Sequence, residues 1–238
     1  NIEKCIKNCG LKVDGFVLEQ FASSHSILSD DEKELGVCLV DIGGGTTDIA
    51  IFNSGSIVHT GVIPYAGDNV TKDIAEALRT PTPQAEEIKQ KFGCAVTEFT
   101  KDNEKFEVLA VGGRSPRECS RSALADIIQQ RYSELFDLIK VEISRNGFEE
   151  HISAGIVLTG GTSKMEGVVQ LAESIFQTSV RLGIPSNFKG METILQNPIY
   201  STSIGLIEHG YKQLNHQMLS EQNQGFFSKL LRIVKSEY

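Results

Sequence analysis

What this sequence lacks narrows it first. It has no basic excess: 23 Lys and Arg stand against 31 Asp and Glu, a net charge of −8, which excludes a general nucleic-acid binder, since such proteins carry a basic surface. Cysteine is sparse and scattered. Cys5, Cys9, Cys38, Cys94 and Cys119 include no Cys-x-x-Cys pair and no His at ligand spacing, so they read as reduced thiols in a cytosolic protein. Cys5 and Cys9 share a helix face, but two ligands make a poor zinc site and packing is the better reading. No apolar stretch approaches the ~20 residues that cross a bilayer, and no signal-peptide pattern is present. The chain begins at Asn1 rather than at an initiator Met, as expected of a piece of a longer or processed protein. Its 238 residues suffice for a core in one large or two small domains.

What is there is a glycine-rich hairpin. Residues 37–54 read Gly-Val-Cys-Leu-Val-Asp-Ile-Gly-Gly-Gly-Thr-Thr-Asp-Ile-Ala-Ile-Phe-Asn. Gly43, Gly44 and Gly45 strip every Cβ from the tip, so backbone N–H groups can approach an anion, and Thr46 and Thr47 add hydroxyl donors. Asp41 and Asp48 bracket the turn. A carboxylate facing a triphosphate is repelled unless a cation lies between them, so Asp41 is expected to hold Mg²⁺ mostly through water. A Walker loop or a dinucleotide fingerprint would run into a helix. Here Ile49, Ile51 and Phe52 continue as a strand, Asn53-Ser54-Gly55 turns, and Ser56 to Pro64 forms a third strand, which makes a β-meander. An ordinary Gly-rich hairpin is the bland alternative.

The remaining pattern is helix over 1–9, a short strand Val13–Leu18, helix Phe21–Leu28 and an acidic linker Ser29–Glu34. A helix starts at Gly67-Asp68-Asn69 with Val70, Ile74, Ala77 and Leu78 at helical spacing. Thr80-Pro81-Thr82-Pro83 breaks it and Gln84–Phe92 resumes it. Two strands are expected in Ala95–Val111 around the polar turn 100–105, then a loop over Arg114–Arg117. Ser120 caps a long helix carrying Leu124, Ile127, Ile128, Leu135 and Ile139 that ends near Gly147. Gly155–Gly161 is a buried strand running into a second glycine turn, followed by helix Glu166–Phe176. Pro198 opens a last core helix whose face Ser201-Thr202-Ser203-Ile204-Gly205 is small enough for close packing.

Two strand-to-glycine turns suit a ligand with a phosphate end and a base end. Asp-x-Gly-Gly-Gly-Thr-x-Asp, then Val-Leu-Thr-Gly-Gly-Thr-Ser, then the small-residue helix resembles the actin, Hsp70 and sugar-kinase superfamily. That resemblance implies an α/β fold of the actin-like ATPase (ribonuclease H-like) kind. Val62-Ile63-Pro64-Tyr65-Ala66-Gly67, Val111-Gly112-Gly113-Arg114-Ser115-Pro116-Arg117 and the C-terminal segment look like the bacterial cell-division FtsA family, over essentially the whole chain and without that family's N-terminal part. By this resemblance Gly43, Gly44, Gly45 and Thr46 bind the β- and γ-phosphates of ATP, and Asp41 holds hydrated Mg²⁺. Gly160, Gly161 and Ser163 line the adenosine, with Lys164 or Met165 near the base. Lys89 and Gln90 resemble the pair reaching the purine, beside the plain reading of a solvated helix face. Glu19 falls where the superfamily positions an attacking water; the Pro that follows it in Hsp70 proteins is Gln20 here, and a helix-start carboxylate is the competing reading.

The implied organisation is 1–36 as the remainder of subdomain 1A, 37–64 and 151–197 as subdomain 2A, 65–150 as inserted subdomain 2B, 198–211 as a return helix, 212–224 as a flexible linker and 225–238 as a membrane-targeting helix. On a helical wheel Phe226, Phe227, Leu230, Leu231, Ile233, Val234 and Tyr238 occupy an arc of about 160°, opposite Lys229, Arg232 and Lys235. Thirteen residues span about 20 Å, which suits lying in an anionic membrane interface; a helix folded on its own core or a partner groove is the alternative. The resemblance implies an ATP-binding, actin-like division protein. It would polymerise with itself on the inner membrane and anchor the FtsZ ring at the septum on the cytoplasmic face. It would recruit other division proteins, turning ATP over slowly at most. Arg114, Arg117 and Arg121 would meet the acidic, apolar FtsZ C-terminal peptide. Rivals are an actin-like pilus-assembly ATP-binding protein, a superfamily small-molecule kinase and a chaperone ATPase. The amphipathic tail disfavours the kinase, and the chain's end about thirty residues past Gly205 disfavours the chaperone.

Overall fold

The two apolar runs flanking the triple glycine build the central sheet. The computed structural model describes residues 1–101, 103–109, 115–145, 147–186 and 195–215. Strand β1 (Val37–Ile42) pairs antiparallel with β2 (Thr47–Asn53), setting Asp41 opposite Asp48, and β3 (Ser56–Ile63) completes the meander. Ser54 and Gly55, the two residues between β2 and β3, both have positive φ, 50° and 75°. Such primed turns match the right-handed twist of the strands they join.

β6 (Ile156–Thr159) lies parallel beside β1, and β7 (Val180–Leu182) parallel beside β6, giving the order β3-β2-β1-β6-β7. Parallel strands are buried on both faces, which is why Ile156 to Thr159 read as a continuous buried run. One face carries Cys38, Val40, Ile42, Ile49 and Ile51 against α4 (Gly67–Leu78), α6 (Arg121–Arg145) and α7 (Val168–Phe176). The other face, with Val37, Leu39, Ala50, Phe52 and Val157, packs against Ile27 and Leu28 at the end of α2 (Glu19–Ile27). α6 is about 37 Å long and buries Leu124, Ile128, Tyr132, Leu135, Phe136 and Ile139 along one stripe. Ser120 caps it, accepting from the Ala123 amide at 3.2 Å. The chain opens with α1 (Ile2–Asn8), and α5 (Thr82–Phe92) follows the proline break.

Several local expectations are corrected. Residues 11–18 form no strand: Asp14-Gly15 interrupts the alternation, and no described strand lies beside them. The acidic stretch is a helix, α3 (Asp30–Leu35), because Ser29 and Glu32 form a reciprocal capping box, with Glu32 N–H to Ser29 Oγ at 3.2 Å and Ser29 N–H to Glu32 Oε2 at 2.8 Å. Of the two strands expected in 95–111, only β4 (Lys105–Val108) forms, and its partner is the later β5 (Arg117–Ser120), expected to be loop and cap. Residues 95–99 are drawn elsewhere: Ala95 N–H donates to the Glu166 carbonyl at 2.7 Å, and Thr97 gives both its amide and its hydroxyl to Gln129 Oε1 on α6, at 2.8 and 2.7 Å. A 3-10 turn over Gly161–Lys164 delays α7 to Val168. Residues 201–215 form the last helix, α8, which runs past the expected linker start at 212. Residues 110–114, the rest of that linker and the 225–238 segment lie outside the described residues.

The small face of α8 meets α2. Ser26 Oγ donates to the Ser201 carbonyl at 2.8 Å, and Ser23 and Thr202 hydroxyls lie 2.9 Å apart. A Cβ on Gly205 would stand 1.8 Å from the Ala22 carbonyl oxygen, whereas one on Gly210 of the same helix would meet nothing within 4 Å. Gly205→Ala is therefore expected to destabilise by about 1–3 kcal/mol through overpacking, while Gly210→Ala gains up to about 1 kcal/mol of helix propensity. Urea midpoints of the two variants check this; equal midpoints would contradict the backbone contact.

Candidate functional site

The geometry of the hairpin tip follows from two carbonyls. The Gly43 carbonyl accepts from Gly67 N–H at 3.2 Å, and the Gly44 carbonyl accepts from Asp68 N–H at 2.8 Å, both at the start of α4. In a trans peptide the N–H following a carbonyl points the opposite way. The amides of Gly44 and Gly45 thus project away from α4, and among the described residues they find no acceptor. Gly43 N–H to the Thr46 carbonyl at 2.9 Å closes the turn, and a Cβ on Gly45 would meet nothing within 4 Å. This leaves an exposed edge of donors suited to an anion. Thr46 is exposed and bonds Asp48 Oδ2 at 3.1 Å. Thr47 is buried, its hydroxyl given to the Tyr65 carbonyl at 2.7 Å, so it braces the turn from within.

The second glycine turn abuts the first. Gly160 has φ +87°, and a Cβ there would lie 2.4 Å from the Ile42 carbonyl oxygen and 2.5 Å from Asp41 Oδ1, so only glycine lets the ends of β1 and β6 come this close. Thr162 joins the turns: its hydroxyl donates to the Gly43 carbonyl at 2.7 Å while its own carbonyl accepts from Tyr132 Oη at 2.7 Å. Burial pushes the Tyr132 phenol above its ordinary pKa, keeping it a neutral donor. Ser163 is buried and bonds the Gly160 carbonyl at 2.7 Å.

Both turns line one cleft of about 630 Å³, together with Asp68, Lys89, Gln90, Gly93, Arg121, Lys164 and Met165. Lys89 Nζ has three acceptors for its three protons: the Gly67 carbonyl at 3.1 Å, Thr71 Oγ1 at 2.8 Å and Glu86 Oε2 at 2.7 Å. Gln90 donates to Glu86 Oε1 at 2.8 Å. Burial opposes ionisation of Glu86, but hydrogen bonds from Lys89, Thr71 and Gln90 outweigh it and hold the carboxyl below its usual range.

On the opposite face of β1 the alternation aims Asp41 toward α2 and α8. Asp41 Oδ2 accepts from Ser23 Oγ at 2.9 Å, with Thr202 Oγ1 at 3.5 Å. Burial raises the Asp41 pKa, and the charges of Asp48 and Glu19 raise it further, against the hydrogen bonds from Ser23 and Thr202. A carboxylate so placed is relieved by a nearby cation, and an all-oxygen surrounding fits Mg²⁺. Among the described residues no three His, Cys, Asp or Glu side chains gather to hold a metal directly, so the fit is to a cation met through water. Glu19 is exposed at the start of α2; its neighbour Gln20, buried, makes the contact instead, donating to Asp48 Oδ1 at 3.0 Å.

The structure thus gathers Gly43, Gly44, Lys89, Gln90, Gly161, Lys164 and Met165 around one cleft, with Asp41 behind the tip, and turns Thr47 and Ser163 inward. The arginines expected to face a partner are used internally. Arg117 donates to the Leu78 carbonyl at 2.5 Å, and Arg121 binds the Phe92 carbonyl, Glu104 and Glu166. Arg114 and the tail residues Phe226 to Lys235 lie outside the described residues. Sequence reasoning missed Thr162, Tyr132 and Gln20 as site residues. Their signal was a polar atom on an otherwise buried position, which only a three-dimensional partner distinguishes from packing.

Comparison with known proteins agrees with this architecture. Residues 38–205 match the family Cell division protein FtsA. The Cell division protein FtsA of Pseudomonas aeruginosa is 59% identical over 218 residues, and that of Escherichia coli K12 is 48% identical over 217, covering 92% and 88% of this chain. The chain spans about half of these relatives, 52% of each. Among solved structures, MreB5 of Spiroplasma citri bound to ADP superposes with a TM-score of 0.73 at 21% identity, over 91% of this chain and 65% of that one. The MamK double helical filament does so with 0.57 at 19%, over 80% and 58%. These likenesses show an actin-like ATPase fold. With the family matched over most of its residues and two relatives near or above half identity, this chain belongs to the Cell division protein FtsA family.

Proposed function

We propose that the protein binds ATP with Mg²⁺ between its two glycine turns and works as an actin-like assembly protein of cell division. In this reading it polymerises on the cytoplasmic face of the bacterial inner membrane, anchors the FtsZ ring and recruits later division proteins. The observation that carries the nucleotide part is the pair of outward amides at Gly44 and Gly45, held there by the carbonyl bonds to α4. Those amides and the Thr46 hydroxyl would bind the phosphates, while Gly161, Lys164 and Met165 on one wall and Gln90 on the other would bound the base. Asp41 would orient the water shell of the cation, whose chemistry when bound is to neutralise phosphate charge. Lys89, with its protons already shared, supplies positive potential more than a new hydrogen bond.

Residues 65–150 form the inserted subdomain in this assignment, 37–64 and 151–197 the body of the cleft, and 1–36 with 198–211 the adjoining subdomain. A ligand touching both the Gly43 turn and α5 favours the closed arrangement of these parts by binding it preferentially, and that arrangement is the polymer-competent one. Phosphate release serves at most to reset it. The MamK filament, a double helix of the same fold, supports self-association. Exposed Phe99 and Leu109 support docking of an apolar FtsZ tail on the inserted subdomain. The basic, amphipathic pattern of residues 226–238 supports membrane attachment, strengthened when several copies act together.

Two outcomes test this reading in the full-length protein. Because burial raises the Asp41 pKa in the fold, stability is present below the ordinary aspartate value and is lost as pH rises toward the raised one. Asp41→Asn should therefore melt about 2–4 °C higher than the unaltered, ligand-free protein near neutral pH, with the gap closing as pH falls below about 4. The same variant should bind Mg-ATP about tenfold more weakly or worse; unchanged melting and affinity would remove Asp41 from the site. Deleting residues 225–238 should abolish co-sedimentation with anionic liposomes, and undiminished pelleting would end the tether hypothesis.

A further inference from the structure

Arg121 stands at the first position of α6 with its guanidinium turned into the cleft, where only 19% of the side chain is exposed. It touches three separate parts of the chain. Nε donates to the carbonyl of Phe92, the last residue of α5, at 3.0 Å; Nη1 donates to Glu104 Oε2 at 3.0 Å; Nη2 pairs with the carboxylate of Glu166. A planar fork fixes the angles between its acceptors in a way that a lysine ammonium does not. Glu166 follows Met165 directly, and its carbonyl accepts the Ala95 amide at 2.7 Å. At the same seam Gly93 lies so near that a Cβ there would come within 2.8 Å of Met165 Sδ.

Everything that sets the spacing between the end of α5 and the Lys164-Met165 wall therefore passes through Arg121 and Glu166. We propose that Arg121 is a positioning residue for the base of the bound nucleotide, acting through Glu166 to fix the width of the cleft at its base end. The inference rests on the nucleotide reading above. It assigns Arg121 to the cleft rather than to a partner surface, and it predicts an effect confined to ligands that carry a base. The phosphate end hangs on Gly43, Gly67 and Thr162, which Arg121 does not touch.

The test compares ATP with inorganic tripolyphosphate, which has the phosphates and no base, as competitors for a fluorescent ATP analogue on the full-length protein. Glu166→Ala is expected to weaken ATP about tenfold and leave tripolyphosphate unchanged. Glu166→Gln, which keeps an acceptor oxygen for the guanidinium, should retain most of the affinity, and Arg121→Lys should behave like Glu166→Ala. Glu166 is half exposed, and a melting curve confirms that each variant is folded; the Arg121→Lys comparison stands if Glu166→Ala melts low. An equal loss for both ligands, or no loss for ATP, overturns the positioning role alone. Failure of the unaltered protein to bind ATP overturns the nucleotide reading and this proposal with it.

Discussion

The arrangement of the cleft depends on one oxygen. The Gly43 carbonyl accepts from both the Gly67 amide and the Thr162 hydroxyl, and so ties together three stretches of chain, the last 119 residues away from the first. A carbonyl has two lone pairs and here both are used inside the protein. The bond to Gly67 orients the peptide plane whose N–H faces outward, and the bond to Thr162 carries the second glycine turn to the same place. Tyr132 extends the chain of donors into α6, the longest helix and the one that also packs on α4 and α7. The anion-facing edge is thus an outcome of backbone bonds made elsewhere, which is why a run of three glycines can be both featureless in side chains and fixed in direction.

Charge in this region is arranged in two opposed ways. Around Glu86 burial is offset by three donors, so the carboxylate is content as an anion without any ligand. Around Asp41 the donors do not suffice, and a second carboxylate sits across the strand pair. One group serves the fold and the other is held at the fold's expense, as is common where a site must receive charge from outside.

Much of this was legible in the sequence where local chemistry decided the matter. The meander, the proline-broken α4 and α5, the capped α6 and the small-residue face of α8 each followed from spacing and turn residues. The cleft was legible too, as two glycine turns and the Lys89-Gln90 pair. The losses share a physical cause. Thr97 looked like strand but gave its amide to Gln129, and Arg121 looked like a surface cation but found three internal acceptors. A side chain's partner at long sequence distance leaves no local trace. The Ser29–Glu32 capping box is different, because its spacing was present and the acidic composition masked it.

Lys89 gives these bonds a genetic meaning. Its ammonium is saturated by Gly67, Thr71 and Glu86, so replacing it strips the first turn of α4 of a brace and leaves Glu86 short of a donor before any ligand arrives. Alleles at this position belong with heat-sensitive lesions, rescued at low growth temperature. Alleles at Gly45, where a side chain would meet empty space, leave the folded chain intact and are silent to temperature. The same cleft therefore sorts its own mutants into two phenotypic classes by who, protein or ligand, uses each polar group.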